Sequence, residues 1–324
     1  MIPPPGAAVA RFRDDVARVA NAASVAGAPL ALAVSGGADS MAMLVLATAA
    51  FPGRVAAATF DHRLRAASAD EAAMVGDVCA ALGVPHAILT PDAPIVGSSI
   101  QMRARAPRYA ALTRWAAGRA LLTAHHADDQ AETLLMRLNR ASGLAGLAAI
   151  RAWRWSDGVA ILRPLLAWRR AELRAVVEAV GVPFVDDPSN DDPRHDRTRL
   201  RMLLATTPEL DAVRLAASAG WLAEAEEVIA RQAARLWSER WGGVRHPLDI
   251  ADEPRELRRR LVRKAIIETR DALGIVLPAF SESANVEPLL DALESWQATV
   301  QGGVKVTPGR DGWTFAAAPP RRSH

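Results

Sequence analysis

Short apolar runs alternate with longer helical patterns through the first half of the chain. Four apolar runs predict strands, at about 30–34, 54–60, 85–90 and 119–124. Helical patterns lie around them, at about 7–26, 40–50, 68–82, 103–117 and 128–140. Strands that alternate with helices pair in parallel, and strands buried on both faces are almost wholly apolar, as these are. The pattern therefore predicts an α/β fold whose parallel sheet has helices on both faces.

The pattern changes at about residue 208. Beyond it, long helices rich in Ala, Glu and Arg are predicted near 211–240 and 254–272, and a shorter one near 286–297. The segment 304–315 has a Pro-Gly and an Asp-Gly pair between short runs, which predicts two strands joined by a turn. We therefore expect an α/β domain over residues 1–207, and a smaller, mainly helical domain over 208–324 that ends in a hairpin and a flexible tail.

A glycine-rich loop joins the first predicted strand to an apolar helix and consists of Ser35, Gly36, Gly37, Ala38, Asp39 and Ser40. Two glycines allow a tight turn, so backbone N–H groups and the start of the helix can converge on an anion. No Gly-Lys-Ser/Thr follows, so the loop is not a Walker A motif. Asp39 would repel phosphate unless a divalent cation lay between them, so the loop predicts ATP and Mg²⁺. The alternative is a glycine turn in which Asp39 or Ser40 caps the helix.

Two further polar groups follow predicted strands. Asp61 and His62 come after the second strand, and the run His-His-Ala-Asp-Asp-Gln-Ala-Glu-Thr, residues 125–133, comes after the fourth. Ligands of parallel sheets bind beyond the carboxyl ends of the strands, so we expect these groups to converge with the glycine-rich loop. Asp129 and Glu132 share a helix face. Two histidines and three acids exceed what a helix cap needs, which favours a functional site over a cap or a transition-metal site.

Arginines cluster just before the only tyrosine, Tyr109. Arg105 and Arg108 belong to this cluster, which is either a solvated face or a binding surface. Pro107 would break the interior of a helix, so we expect Arg105 to lie in a loop ahead of a helix that starts there. From that loop, both arginines could reach the crevice at the strand ends.

A second basic group follows an acidic turn within residues 186–201. Its arginines are Arg197, Arg199 and Arg201. They could grip phosphates, or they could be the solvated start of a helix, and composition favours neither interpretation.

Charge and cysteine usage restrict the remaining possibilities. The formal net charge is +3, and Cys79, in apolar surroundings, is the only cysteine. A single cysteine excludes disulfides, iron–sulfur clusters and cysteine zinc sites within the chain. The apolar stretch 29–51 is interrupted by the polar loop, and no secretory leader is recognisable. We therefore expect a soluble cytoplasmic protein that does not interact with a membrane.

Five segments together resemble the tRNA(Ile)-lysidine synthetase family of N-type ATP pyrophosphatases, over about residues 28–205. They are the loop 35–40, Phe-Asp-His-Arg-Leu-Arg at 60–65, Arg-x-x-Arg-Tyr at 105–109, the run 125–133, and Asp-Pro-Ser-Asn at 187–190. The loop alone is typical of many ATP pyrophosphatases, whereas the last two segments in this order are much more specific. The resemblance implies a Rossmann-like fold of the adenine nucleotide alpha hydrolase type, and the helical C-terminal part is similar to the compact members.

The resemblance implies a particular reaction. ATP adenylates the C2 oxygen of the wobble cytidine in the CAU anticodon of tRNA(Ile), and pyrophosphate leaves. The amine of free lysine then displaces AMP, which yields lysidine and changes the codon read from AUG to AUA.

The same resemblance assigns residues to each partner. ATP would bind the loop 35–40 together with Asp61, His62 and His125, and Asp39 would hold Mg²⁺. Arg105 would steady the adenylate, while Asp129 and Glu132 would bind lysine and accept its proton. The tRNA would contact the C-terminal domain and Arg108, Ser189, Asn190, Arg197, Arg199 and Arg201. The family also allows a homodimer.

Two positions depart from the family pattern, and three rival interpretations remain. Thr198 stands where an Asn is usual, and Pro107 interrupts a helical stretch, so these departures bear on the RNA contacts and on Arg105. A sulfur-inserting tRNA enzyme of the same class is disfavoured by the single cysteine. An ammonia-dependent amide synthetase would not need the arginines, and a non-catalytic RNA-binding module would not need the acidic residues.

Overall fold

The computed structural model describes residues 2–63, 67–93, 100–186 and 196–319. The expected tRNA contacts at Ser189 and Asn190, the end of the 60–65 segment and the predicted tail from residue 320 lie outside these residues. The chain divides into two compact units, Met1–Ala223 and Glu224–His324. This division falls inside the helix Ala212–Arg240, and the domain boundary expected at 207/208 stays a prediction.

The described residues of the first unit form six strands and the helices that connect and cover them. Its elements are α1 Gly6–Ala22, β1 Leu30–Ala33, α2 Ala38–Ala50, β2 Val55–Phe60, α3 Ala67–Leu82, β3 His86–Leu89, α4 Ile100–Trp115, β4 Ala120–Leu122, α5 Ala127–Leu138, α6 Leu144–Leu147, β5 Trp153–Ser156, β6 Val159–Leu162, α7 Arg170–Val180, α8 Asp196–Thr206 and the first part of α9 Ala212–Arg240.

The strands form one mostly parallel sheet in the order β3-β2-β1-β4-β6-β5. The first four predicted strands are confirmed, and all of their pairings are parallel. Two further strands, β5 and β6, were not predicted from the sequence; β6 pairs in parallel with β4, and β5 in antiparallel with β6. From β1, the sheet continues through β2 and β3 on one side and through β4, β6 and β5 on the other. The strand order therefore reverses at β1 and β4, where parallel sheets bind their ligands.

Helices cover both faces of this sheet, as the sequence predicts. Within β1, Leu30 and Leu32 pack with α1, α2 and α7, whereas Ala31 packs on the opposite face with α4. This alternation follows from the two-residue period of a strand. Every residue from Met41 to Ala47 in α2 is buried. The all-apolar character of α2 is thus explained by its place in the core.

The helix α4 corrects one expectation. It runs from Ile100 to Trp115 with Pro107 inside it, so Arg105 lies on the helix and not in a preceding loop. Pro107 has no N–H and leaves the carbonyl four residues earlier without its helical donor. Burial of Tyr109 and Leu112 against the sheet keeps the helix continuous despite this local cost.

The second unit has its own hydrophobic core. It consists of the end of α9, followed by α10 Arg255–Leu273, α11 Glu287–Glu294, β7 Thr299–Gln301, β8 Val304–Thr307 and β9 Thr314–Ala317. The predicted hairpin is a three-stranded antiparallel sheet, because β7 also pairs with β8. Its buried side chains Val304, Val306 and Phe315 pack with apolar residues of α10 and α11. In the described part of the chain, no helix is both long and apolar enough to cross a membrane.

Candidate functional site

The glycine-rich loop turns the chain from the end of β1 into the start of α2. Gly36 has a φ of 88°, which a side chain would strain, and its carbonyl accepts a hydrogen bond from the N–H of Val185 at 2.9 Å. The Ser40 hydroxyl accepts from the N–H of Ser35 at 3.1 Å and donates to the carbonyl of Gly37 at 3.0 Å. The loop is therefore held by its own hydrogen bonds.

The start of α2 is open to an anion. The N-cap residue is Gly37, and no side chain caps the helix. The alternative in which Asp39 or Ser40 caps the helix is therefore wrong, because both lie inside its first turn. Uncapped N–H groups at a helix start attract phosphate.

Asp39 has one carboxylate oxygen in contact with a histidine and one without a partner. Its Oδ2 lies 3.4 Å from Nε2 of His126. Its Oδ1 is buried and makes no hydrogen bond to the described residues. Those residues contain no group of three or more side chains arranged to hold a metal ion. An unsatisfied carboxylate oxygen beside a phosphate cradle fits Mg²⁺, which is commonly held by one or two carboxylates and substrate phosphates.

His126 connects the loop to the start of α5. It is the N-cap of this helix: Nδ1 accepts from the N–H of Asp129 at 3.3 Å, and Asp129 Oδ2 accepts from the N–H of His126 at 3.1 Å. Burial lowers the pKa of His126, but Asp39, Asp129 and Asp128 outweigh it and raise the pKa. Both histidines belong to the run 125–133, which was expected to converge with the glycine-rich loop, but the family resemblance assigned a role to His125 alone.

Asp129 and Glu132 lie on α5 in different electrostatic surroundings. Burial raises the pKa of Asp129, but His126, His125 and Arg197 outweigh it, so the pKa lies below its ordinary value. Burial raises the pKa of Glu132, and its hydrogen bond with Arg201 only partly offsets this. Asp129 is therefore firmly ionised, while Glu132 holds a proton more readily than an exposed glutamate does.

The arginines of α8 divide into two groups. Arg201 Nε donates to Glu132 Oε1 at 2.8 Å, and Arg197 donates to the hydroxyl of Thr133 at 3.4 Å. Residues 197 and 201 are one helical turn apart and face α5 together. Arg199 instead pairs with Asp196 on the surface at 2.5 Å. The structure thus brings Arg197 and Arg201, but not Arg199, to the acidic residues of α5.

A cavity of about 270 Å³ opens beside Glu132. Its charged lining residues are Asp128, Glu132, Arg169, Arg201 and Asp211, and its other side is apolar. Glu132 is 1% exposed, and its Oε2 is buried with no hydrogen-bond partner in the described residues. A small space with both charges, an apolar wall and an unsatisfied carboxylate oxygen can hold an amino acid.

The remaining predicted nucleotide residues follow β2 and β4. Asp61 Oδ1 accepts from the Ser68 hydroxyl at 2.7 Å and from the N–H of Arg63 at 2.8 Å. The His62 ring lies edge-on to Phe60, with ring centres 4.9 Å apart. His125 Nδ1 lies 3.0 Å from the Thr123 hydroxyl. Burial, together with nearby arginines, lowers the pKa of His125 to about 3, so this imidazole is neutral at physiological pH.

Arg105 and Arg108 both lie over the ring of Tyr109. Their guanidinium carbons are 5.2 and 5.5 Å from the ring centre. The side chain of Arg105 is exposed, and that of Arg108 is half-buried. The positive charge of Arg105 also acts on His125 and contributes to the lowering of its pKa.

Fold and loop together define a PP-loop domain, in which a glycine-rich loop after the first strand receives the phosphates of ATP. The family model described as a PP-loop domain matches residues 11–207. A solved structure of a U34-tRNA thiolase from Methanococcus maripaludis, with its [4Fe-4S] cluster, has a TM-score of 0.53, covers 67% of this chain and 79% of its own, and is 15% identical. At that identity the likeness concerns the fold alone.

Curated relatives identify the family within this class. A tRNA(Ile)-lysidine synthase from Novosphingobium aromaticivorans is 42% identical over 333 residues, which cover 98% of this chain and 95% of the relative. Another from Zymomonas mobilis is 41% identical over 311 residues, which cover 90% and 89%. The chain therefore belongs to the tRNA(Ile)-lysidine synthase family.

Proposed function

We propose that the protein joins free lysine to C2 of the wobble cytidine in the CAU anticodon of tRNA(Ile). In the first step, the C2 oxygen attacks the α-phosphorus of ATP and pyrophosphate leaves. In the second, an amine of lysine forms a C–N bond at C2, the C–O bond breaks, and AMP leaves. The observation that carries this proposal is the contact of His126 with both Asp39 and Asp129, because it joins a phosphate-binding loop to acidic residues suited to an amine.

The ATP would bind at the carboxyl ends of β1 and β2. Uncapped N–H groups of α2 and the hydroxyls of Ser35 and Ser40 suit the pyrophosphate, and Asp61, His62 and neutral His125 suit the rest of the nucleotide. Asp39 would hold Mg²⁺ through its unsatisfied oxygen. A bound Mg²⁺ neutralises charge that develops on the leaving pyrophosphate.

Lysine would bind in the cavity beside Glu132. Asp129, firmly ionised, suits an ammonium group, and the cavity arginines suit the carboxylate of the amino acid. An ammonium cannot attack C2 until it loses a proton. Glu132 is the better acceptor of that proton, because its raised pKa brings it closer to the amine than an ordinary carboxylate.

The RNA would be held by arginines from two helices. Arg105 would steady the electron-rich adenylate, and Arg108, Arg197 and Arg201 would contact the backbone near the anticodon. The second unit, with a basic α10, would extend this contact along the tRNA. A cytoplasmic location and a homodimer remain expectations that only the family supports.

A sulfur-inserting enzyme of the same fold is the main alternative. Such chemistry needs reactive or metal-binding cysteines. Cys79 is fully buried, and burial raises the pKa of its thiol to about 11. The only cysteine of the chain is thus unsuited to carry sulfur, which favours lysine transfer.

The direct test is incorporation of radiolabelled lysine. The protein is incubated with ATP, Mg²⁺ and an in vitro transcript of tRNA(Ile) with a CAU anticodon, and tRNA(Met) serves as the matched RNA. We expect label in tRNA(Ile) alone and none without ATP. ATP cleavage without label in either RNA would overturn the proposal and indicate another acceptor.

A further inference from the structure

Four arginines surround Tyr109 on the side of the sheet formed by β5 and β6. We call Arg105, Arg108, Arg154, Arg163 and Tyr109 the Tyr109 cluster. Arg154 lies 5.0 Å from the ring centre of Tyr109. Arg163 follows β6 directly, and its positive charge acts on the phenol of Tyr109. Tyr109 lies on α4, Arg154 on β5 and Arg163 directly after β6, so only the folded chain brings these three together.

The Tyr109 cluster lacks a carboxylate. Among the residues that the structure describes, none of its four guanidinium groups has an acidic oxygen within 4.0 Å. The charges of Arg163, Arg105 and Arg108 outweigh burial and lower the pKa of Tyr109. A single phenol can balance at most a part of the positive charge of the four arginines. In contrast, Arg11, Arg169 and Arg174 in the same unit each pair with an acidic residue.

Arg163 is the least satisfied member. It is 3% exposed, and although Nη1 donates to the carbonyl of Arg151 at 2.7 Å, its Nε is buried without a hydrogen-bond partner in the described residues. A buried guanidinium without a counter-charge is costly to the fold. Such a cost is offset when an oxyanion binds, and the planar donors of arginine match phosphate well.

The strand order separates this surface from the ATP phosphates. The glycine-rich loop follows β1, whereas Arg163 follows β6, with β4 between them. Two strand spacings amount to about 10 Å. His125, Asp129 and Glu132 follow β4 and so lie between the two anion-binding surfaces. An anion at the Tyr109 cluster is therefore on the far side of the acidic residues from the pyrophosphate.

We infer that Arg154 binds a backbone phosphate of the RNA strand that enters from the β6 side, and that the buried Arg163 adds positive charge behind it; neither the motifs nor the proposed function includes these two residues. This inference rests on the proposed function for the presence of RNA. Tyr109 is a positioning residue: the guanidinium groups of Arg105, Arg108 and Arg154 lie over its ring, and the charge of Arg163 acts on its phenol. Together these residues hold the RNA strand so that the reactive base reaches the carboxyl end of β4.

The test measures RNA and ATP binding separately, without lysine and without turnover. Arg154→Gln is the main variant, because Arg154 is half-buried and its loss should not unfold the protein. Arg163→Gln and Tyr109→Phe follow, with circular dichroism to verify folding. Arg114→Gln is the matched control. Arg114 lies on α4, as Tyr109 does, but it pairs with Asp92 on the surface.

For Arg154→Gln we expect the Kd of the tRNA(Ile) transcript to rise about tenfold, and the slope of log K against log salt to become shallower by about one. The Kd of ATP should stay unchanged, as should both constants of the control. In a separate turnover assay with lysine, Tyr109→Phe should raise KM for the tRNA while kcat stays near the wild-type value.

Two outcomes would overturn the inference. If Arg154→Gln leaves the Kd of the transcript unchanged, the cluster does not bind RNA. If the Kd of ATP rises instead, the phosphate belongs to the nucleotide. Failure of the proposed function looks different: no lysine would enter any tRNA, while Arg154→Gln would still weaken RNA binding.

Discussion

Glu132 is a nearly inaccessible carboxylate with one paired and one unpaired oxygen. Its paired oxygen accepts from Arg201, the other is buried without a hydrogen-bond partner in the described residues, and the residue lines the cavity proposed for lysine. Glu132→Gln keeps the shape of the side chain and removes its charge and its capacity to accept a proton. We expect kcat/KM for lysine to fall by about ten- to a hundredfold, because hydrogen bonds to charged groups contribute about 1.5–3 kcal/mol. The Kd of ATP should not change.

The matched control is Glu172→Gln, because Glu172 lies in the same unit but pairs with Arg11 on the surface. Steady-state kinetics with lysine as the varied substrate distinguish the two variants. A Glu132→Gln protein with unchanged kinetics for lysine would place the amine elsewhere.

Because the pKa of His125 is lowered by folding, we expect the free energy of unfolding to depend on pH. The pKa of this imidazole is near its ordinary value of 6.5 in the unfolded chain, whereas burial lowers it to about 3 in the folded chain. The unfolded state therefore binds more protons between these values, and the free energy of unfolding falls as the pH falls through this window. In His125→Gln this dependence should be shallower by up to about 1.4 kcal/mol per pH unit.

Urea unfolding at several pH values between about 6 and 4 measures this difference. A variant whose free energy of unfolding changes with pH as steeply as that of the wild type would mean that His125 is protonated in the folded protein.

At the scale of elements, the start of α5 combines a helix cap with a connection to the glycine-rich loop. Asn is a good N-cap residue and Ala is a poor one, but neither side chain reaches Asp39 as the imidazole of His126 does. We expect His126→Ala to lose about 1 kcal/mol of stability and His126→Asn to lose little. Both should lower kcat by about tenfold or more, because the loop and α5 are no longer joined.

Thermal unfolding and single-turnover kinetics of the two variants separate these effects. Full activity in His126→Asn would show that this residue only caps the helix.

Elements could be predicted from the sequence where their signal is local. The four central strands are apolar runs, and α2 follows a recognisable loop. The strand β6 has only four apolar residues, which periodicity cannot distinguish from a helix, and the edge strand β5 exposes Trp155. The predicted start of α4 was wrong because Pro107 disfavours a helix interior. In the folded protein, packing of α4 on the sheet outweighs this local preference, which is all that the sequence shows.

The same limit applies to the site. Asp39, Asp129 and Glu132 could be found because each follows a strand or shares a helix turn with another acidic residue. The approach of Arg163 to Tyr109 joins residues far apart in the chain, and no spacing rule indicates it. The separation of Arg199 from Arg197 and Arg201 depends on which face of α8 meets α5.

At the scale of the whole molecule, each compact unit has a hydrophobic core of its own. We therefore expect calorimetric unfolding to depart from a single two-state transition. Glu226, 7% exposed, accepts two hydrogen bonds from Arg260, at 2.7 and 2.6 Å, within the second unit. Glu226→Gln should destabilise that unit by about 1–3 kcal/mol, because it removes the charged acceptor of two hydrogen bonds and leaves Arg260 with Glu256 as its remaining acidic partner among the described residues.

Glu227→Gln is the control, because the neighbouring Glu227 pairs only with Arg231 on the surface of the same helix. Its unfolding should match that of the wild type. Equal shifts of all transitions in Glu226→Gln would mean that the two units unfold together.

In the proposed reaction, lysine becomes attached to the wobble cytidine of tRNA(Ile) and to no other base. The most direct measurement is mass spectrometry of nucleosides and anticodon fragments from tRNA(Ile) after incubation with ATP, Mg²⁺ and lysine, with Asp129→Asn as the inactive control. We predict a wobble cytidine that has gained lysine with loss of water, in the wild type alone. An unmodified wobble cytidine in RNA that has supported release of AMP would contradict it.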